Sequence, residues 1–352
     1  MKYFSSLRLP VIMILLLLFS SSSCKKDSDD PSTDIKEVEK DIFATVEHLG
    51  ICYGPFHYSD QNDGSEIAKS QIETDLSLIK KNFDFFRTYT VASGMDKVVE
   101  VASNKGLQVA LGVHCYPDDS DKTKADIDMA VQMAKQHPTV VMCIVIGNET
   151  NSRINNNPNY VKPTIVAGYM DYAHEKMVAA GLKMPLTACI TGTGADNENT
   201  YPHEDYAGLI LQKCKDLNSV NHRIVLLNIY PYFAPGSNPA NINTNMEWSY
   251  EHGMSNAEDN FGLEVIIGEI GWPSAKDSIQ NDRESIANME VNFNTTLSWV
   301  DGKNKYNKAY NSFWFEMFDE PWKKIHGPVE PYWGLYEKDG VQTPKFTIPA
   351  LQ

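Results

Sequence analysis

From about residue 50 onward, short apolar runs alternate with amphipathic stretches almost without a break, and this alternation confines the chain to a parallel α/β architecture. Eight runs read as strands: about Gly50 to Pro55, Phe83 to Thr90, Leu107 to Cys115, Val140 to Gly147, Pro185 to Gly192, Arg223 to Tyr230, Leu263 to Glu269 and Asn311 to Phe318. Between them apolar residues recur at helical spacing. Ile72, Leu76 and Ile79 share one face, as do Val98, Val99 and Ala102 before Gly106, and Val166, Met170, Ala173 and Met177 before Gly181; both glycines are placed to end a helix. Ala130, Met133 and Ala134 precede the fourth strand, and Arg283 to Trp299 precedes the eighth. Eight such units fit a single-domain (β/α)8 TIM barrel, which takes about 250 residues, better than a doubly wound sheet. No Gly-x-Gly-x-x-Gly turn follows the first strand and no Gly-x-x-x-x-Gly-Lys loop occurs, so nucleotide binding has no support.

The N-terminus is a separate object. Lys2 and Arg8 flank an apolar run, Val11 to Phe19, followed by Ser20 to Ser23 and Cys24. A basic start, a short apolar stretch and small residues make a secretory signal and not a membrane span. Its form resembles a bacterial lipoprotein signal, with Cys24 as the lipidated first residue of the mature chain. The expected organisation is therefore a signal peptide over 1–23, a polar tether over 24–46 and a barrel over 47–352. The expected location is the outer membrane, at the cell surface or its periplasmic face, held by a lipid anchor only; without lipidation of Cys24 the protein would be secreted.

The formal net charge is -15, and loss of the leader removes two positive charges and no negative ones. Such an acidic body argues against nucleic acid as a partner and leaves neutral ligands open. Beyond Cys24 five cysteines remain, Cys52, Cys115, Cys143, Cys189 and Cys214, without metal-type spacing. Most lie in apolar runs and read as buried free thiols, although a disulfide is not excluded by sequence. No metal site or cofactor is expected, and the chain is expected to act as a monomer.

In a barrel of this type the site lies at the C-terminal ends of the strands, so the polar residues that close each apolar run are the ones to collect. The seventh run, Leu-Glu-Val-Ile-Ile-Gly, opens onto Glu269, Gly271 and Trp272; the fourth, Val-Val-Met-Cys-Ile-Val-Ile-Gly, opens onto Asn148 and Glu149. A charge at the mouth of a buried strand is costly unless it is paired or used. A lone Glu269 reads best as a tie between loops, but two glutamates placed alike on opposite sides of one mouth suit glycosidic cleavage. That reaction needs an acid for the departing oxygen and a carboxylate for the anomeric carbon. Around them gather Tyr53, Arg87, Tyr89, His114, Tyr230, Tyr232, Phe233, Glu320, Trp322 and Lys323. Singly these aromatics read as packing; as a cluster they suit the apolar faces of sugars.

These residues fall in motifs: Gly-Ile-Cys-Tyr-Gly-Pro-Phe at 50–56, Phe-Arg-Thr-Tyr at 86–89, Gly-Asn-Glu at 147–149 and Asn-Ile-Tyr-Pro-Tyr-Phe at 228–233. Gly-Glu-Ile-Gly-Trp-Pro-Ser follows at 268–274, then Phe-Trp-Phe-Glu-Met-Phe-Asp-Glu-Pro-Trp-Lys at 313–323 and Trp-Gly-Leu-Tyr at 333–336. In this order, over nearly the whole mature chain, they resemble glycoside hydrolase family 17, the retaining β-1,3-glucanases of the clan with catalytic glutamates on strands four and seven. The resemblance implies Glu149 as acid/base, Glu269 as nucleophile and Asn148 as a ligand of the sugar 2-hydroxyl. It assigns Glu320, Lys323 and Glu330 to a charged cluster that supports the site, for which a structural ion-pair network is the alternative. Tyr53, Arg87, Tyr89, Tyr230, Tyr232, Phe233, Trp272 and Trp322 would complete the substrate-binding set. The activity implied is endo-hydrolysis of laminarin-type β-1,3-glucan by double displacement; a transglycosylase and a non-catalytic surface glycan-binding lipoprotein are the alternatives. The short segment Ala234 to Gly262, read as one helix-length stretch, suggests a compact cleft.

Overall fold

The computed structural model describes residues 48–154, 157–197 and 203–351; the leader, the tether and Cys24 lie outside them. Eight parallel strands close into a barrel in chain order. They are β1 (Leu49–Cys52), β2 (Phe85–Arg87), β3 (Gln108–Val113), β4 (Val141–Asn148), β5 (Leu186–Thr191), β6 (Ile224–Asn228), β7 (Glu264–Ile270) and β8 (Ser312–Trp314). The seam is made by β1 and β8, with Leu49 opposite Ser312 and Ile51 opposite Trp314. All eight expected strands are present. Most are shorter than the apolar runs that announce them, because the ends of those runs carry the polar residues that leave the ladder for the loops.

The strands are buried on both faces, which is why they read as continuous apolar runs and not as alternating ones. Inside the barrel, Phe85 meets Phe313 edge to face at 5.3 Å, beside Cys52, Cys143, Val145, Cys189, Leu226 and Ile266. Gly50 is required here, since a Cβ at this position would stand 2.5 Å from the Phe85 ring. Outside the barrel the strands pack against α1 (Lys69–Ile79), α2 (Val98–Lys105), α3 (Ser120–Gln136), α4 (Pro163–Ala180), α5 (Gly208–Asp216), α6 (Ile242–Ser249), α7 (Ser255–Phe261) and α8 (Ile286–Val300). Each fully buried aliphatic side chain in this layer contributes about 1.5–3 kcal/mol of transfer free energy. Gly106 and Gly181 close α2 and α4 in the left-handed conformation, as their positions predict. The five cysteines are buried and unbridged.

One expectation is corrected. The segment between β6 and β7 is not a single helix-length stretch but two short helices joined by a π-turn over Tyr250–Met254. Gly253 permits the turn, because a Cβ there would lie 2.1 Å from the Gly192 carbonyl oxygen of the neighbouring loop. Among the described residues, only two short 3-10 helices, Pro321–Ile325 and Glu330–Tyr332, and no α-helix follow β8, and no helix is long and apolar enough to cross a membrane.

Candidate active site

The sheet loses its regular register at the ends of the strands that carry the carboxylates. Shifts occur between β4 and β5 from Val145 to Asn148, between β6 and β7 at Asn228, and between β7 and β8 from Ile267 to Ile270. Such irregularities re-aim side chains. At β4, Gly147 has φ 75° and Glu149 φ 49°, a left-handed conformation unusual for a glutamate. The break from strict alternation lets the consecutive residues Asn148 and Glu149 both reach the polar cluster at the mouth.

Arg87, buried at the end of β2, ties this ring together. Its Nη2 donates to Asn148 Oδ1 at 2.8 Å, while Nη1 reaches Gly268 O at 2.8 Å, Asn228 Oδ1 at 3.2 Å and Glu269 Oε1 at 3.3 Å. Asn228 Nδ2 donates to Asn148 Oδ1 and to Glu149 Oε1, each at 3.0 Å. Tyr230 donates to Glu269 Oε2 at 2.6 Å. Gly268 is a matter of space: a Cβ there would lie 2.7 Å from Asn228 Oδ1 and 2.8 Å from Cys189 Sγ.

The two carboxyl groups therefore live differently. Glu269 is 4% exposed, with the Arg87 guanidinium on one oxygen and the Tyr230 phenol on the other. Glu149, partly open to the mouth, has its pKa pushed up to about 8, first by loss of solvation and then by the negative charge of Glu269; the hydrogen bond from Asn228 and the charge of Arg87 oppose the rise. At neutral pH Glu149 therefore holds a proton that it can give. Divergent environments of this kind mark an acid and a base.

The aromatic set divides. Phe233 is 58% exposed, and Trp322, Tyr89 and Tyr230 are partly open. Tyr89 lies under the Arg87 guanidinium at 4.8 Å, and among the described residues its buried hydroxyl has no hydrogen-bond partner. Three of the expected sugar contacts are corrected. Trp272 is fully buried, with its Nε1 donating to Arg283 O at 2.9 Å. Tyr232 is buried edge-on against Trp272 and Trp333, with its hydroxyl bonded to Glu284. Tyr53 is fully buried and donates to Asp75 Oδ2 at 2.8 Å. In each the ring is covered and its polar atom already used, so none offers a face to a sugar.

The charged cluster after β8 is also redrawn. Lys323 Nζ sits 2.7 Å from both Glu316 oxygens and 2.5 Å from Glu320 Oε2, with the Phe56 amide donating to Glu320 Oε1 at 3.2 Å. Glu316 and Glu320 are buried; burial pushes the Glu316 carboxyl well above its ordinary range, while the Lys323 ammonium holds Glu320 below its own against the cost of burial. Glu320 is thus a structural partner and not a substrate contact. Glu330 stands apart from this triad, partly open, its carboxyl raised by burial and lowered in part by Lys323. Lys323 lies 4.5 Å from the centre of the Phe315 ring, which packs on Tyr230 at 6.0 Å, so the triad braces the tyrosine that holds Glu269. His114 lies aside, packed edge-on against Tyr116 at 4.5 Å. Asn228 and Glu316 close their strands and are legible as polar strand ends, but sequence reasoning gives them no role. Their signal was the same as that of Glu149, a polar residue ending an apolar run. Among the described residues, no group of side chains could hold a metal ion.

A parallel barrel with two glutamates of opposed character at the mouths of β4 and β7 defines a class, the carboxylate-pair glycoside hydrolases. The chain belongs to the BtgE/BtgC glycoside hydrolase domain family, whose sequence profile matches residues 50–334. The family 17 resemblance is thereby borne out. Among curated proteins it is similar to a glucan 1,3-β-glucosidase of Arthroderma benhamiae, 25% identical over 81% of this chain and 86% of that protein. It is 22% identical, over 79% of its length, to the probable glucan endo-1,3-β-glucosidase btgC of Aspergillus terreus, of which it spans only 42%. A family 17 β-1,3-glucanosyltransferase from Rhizomucor miehei shares the fold, with TM-score 0.63 and 19% identity over 86% of this chain and 97% of that one.

Proposed function

We propose that the protein is a retaining glycoside hydrolase that cleaves β-1,3-glucan of the laminarin type internally, by double displacement. The observation that carries this reading is the opposed surroundings of Glu149 and Glu269 within one hydrogen-bonded ring. Glu269, held by Arg87 and Tyr230, attacks the anomeric carbon while Glu149 protonates the departing oxygen. Glu149, now ionised, then takes a proton from the water that releases the product. Asn148 has its Oδ1 filled by Arg87 and Asn228, which leaves its amide hydrogens for the sugar 2-hydroxyl. Phe233, Trp322, Tyr89 and Glu330 form the remaining contacts with the glucan. The substrate follows from the activities of the relatives, a glucan 1,3-β-glucosidase and a probable glucan endo-1,3-β-glucosidase.

The protein acts as a monomer, fixed to the outer membrane through lipid on Cys24 and the polar tether. A Cys24→Ala variant that still partitions into the detergent phase would count against the anchor. Incubation with laminarin, cellulose and mixed-linkage glucan tests the activity. Laminari-oligosaccharides whose first-formed anomer is β are expected. Products longer than an oligosaccharide starting material would show transfer instead, and no cleavage of any polymer would leave only binding.

A further inference from the structure

We propose that Asn228, locked in place by Cys189 and Arg87, is a positioning residue that keeps the transferable proton of Glu149 on Oε2. Every hydrogen-bonding capacity of the Asn228 amide is filled. Oδ1 accepts from Cys189 Sγ at 2.9 Å and Arg87 Nη1 at 3.2 Å, and Nδ2 donates to Asn148 Oδ1 and Glu149 Oε1 at 3.0 Å each. The flipped amide would press its NH2 on the guanidinium and its oxygen on two other oxygens, so a single orientation survives. Cys189 is not redundant with Arg87. Nη1 has two hydrogens for three acceptors, Gly268 O, Asn228 Oδ1 and Glu269 Oε1, and its contact with Asn228 is longer than that of the thiol. The thiol is fully buried in the barrel interior, and burial pushes its pKa well up, so it stays an S–H donor.

The consequence falls on one atom. Because Oε1 of Glu149 accepts from Asn228, the proton of the neutral acid resides on Oε2. During cleavage that proton passes to the glycosidic oxygen as the C–O bond breaks and its electron pair leaves with the oxygen, while Glu269 bonds to the anomeric carbon. The Asn228 N–H then stabilises the carboxylate left behind. The groups whose charges act on Glu149 are Glu269 of β7, Glu204 of the loop after β5 and Arg87 of β2. Among these Asn228 is the neutral group that binds the carboxylate directly.

This inference rests on the proposed glycosidase reading, and the two can fail separately. The test compares kcat/KM on laminari-oligosaccharides, whose leaving group needs a proton, with 2,4-dinitrophenyl β-laminaribioside, whose phenolate departs without one. Asn228→Ala is expected to lose on the order of 10²-fold on the oligosaccharide. On the dinitrophenyl glycoside it should lose little, which also shows that the variant folds, and its alkaline pH limb should move upward. Cys189→Val should show the same split to a smaller extent, with Cys189→Ser restoring it. Equal losses on both substrates, or no loss on the oligosaccharide, would overturn the inference. A wild-type protein that cleaves neither substrate would overturn the proposed function instead.

Discussion

The mouth of β4 and the mouth of β7 present the same residue type in the same position, yet they hold it in opposite ways. At β7 the carboxylate is nearly sealed and both its oxygens are occupied, one by Arg87 and the other by Tyr230. At β4 the left-handed backbone turns Glu149 toward the cleft, where one neutral amide binds it and Glu269 repels its charge. The lesson is that role comes from neighbours. In the proposed reading, a cationic donor beside one glutamate suits it to act as nucleophile, while lost solvation and a like charge suit the other to act as acid.

Removing a carboxylate breaks the comparison most severely. Glu269→Gln should lower kcat on laminarin by roughly 10⁴-fold or more with oligosaccharide binding retained, measured by reducing-sugar release and calorimetry. Substantial turnover would end the assignment. Glu149→Gln should cost about 10²–10⁴-fold on the polymer and abolish the alkaline limb, which in the wild type falls as pH rises through about 8, where Glu149 loses its proton. Tyr230→Phe removes one hydrogen bond to a charged group, worth about 1.5–3 kcal/mol, so kcat should fall roughly ten- to a hundredfold with little change in KM.

Stability sharpens the contrast. The folded pKa of Glu149 lies above its ordinary value of 4.5, at about 8, so the folded protein binds more protons than the unfolded chain between those limits. Stability is therefore lost as pH rises across that window. Glu149→Gln removes this loss, and its Tm should gain on the wild type from pH 5 to pH 8. A constant gap would contradict the raised pKa. The smallest effect on the chemistry should come from the rim: Phe233→Ala should raise KM with kcat and Tm nearly unchanged. Trp272→Ala should instead destabilise by about 3–5 kcal/mol, as a cavity in a core does.

Much of the site was legible because it obeys a local rule. Glu149, Glu269, Asn148, Arg87 and Tyr230 each close an apolar run, and the barrel gathers such ends at one face. The aromatic residues obeyed no such rule. Trp272 and Phe233 look alike in the chain, yet one carries the core between β7 and its loop and the other faces solvent. Likewise Lys323 was expected beside Glu320 and Glu330, but its close partners are Glu316 and Glu320, because the turn after Glu320 folds it back onto the strand end.

The amino-acid sequence by itself determined the barrel and the two glutamates, since strand burial, helix periodicity and polar strand ends are properties of short stretches. Only the tertiary structure decided which rings remain open, and that Cys189, Asn228 and Arg87 join the two glutamates. Those facts depend on contacts such as Arg87 with Gly268 and Asn228 with Glu149, between residues far apart in the chain and brought together by closure of the barrel. Charge and solvation at such contacts are set by what surrounds an atom in space and not by its neighbours along the chain.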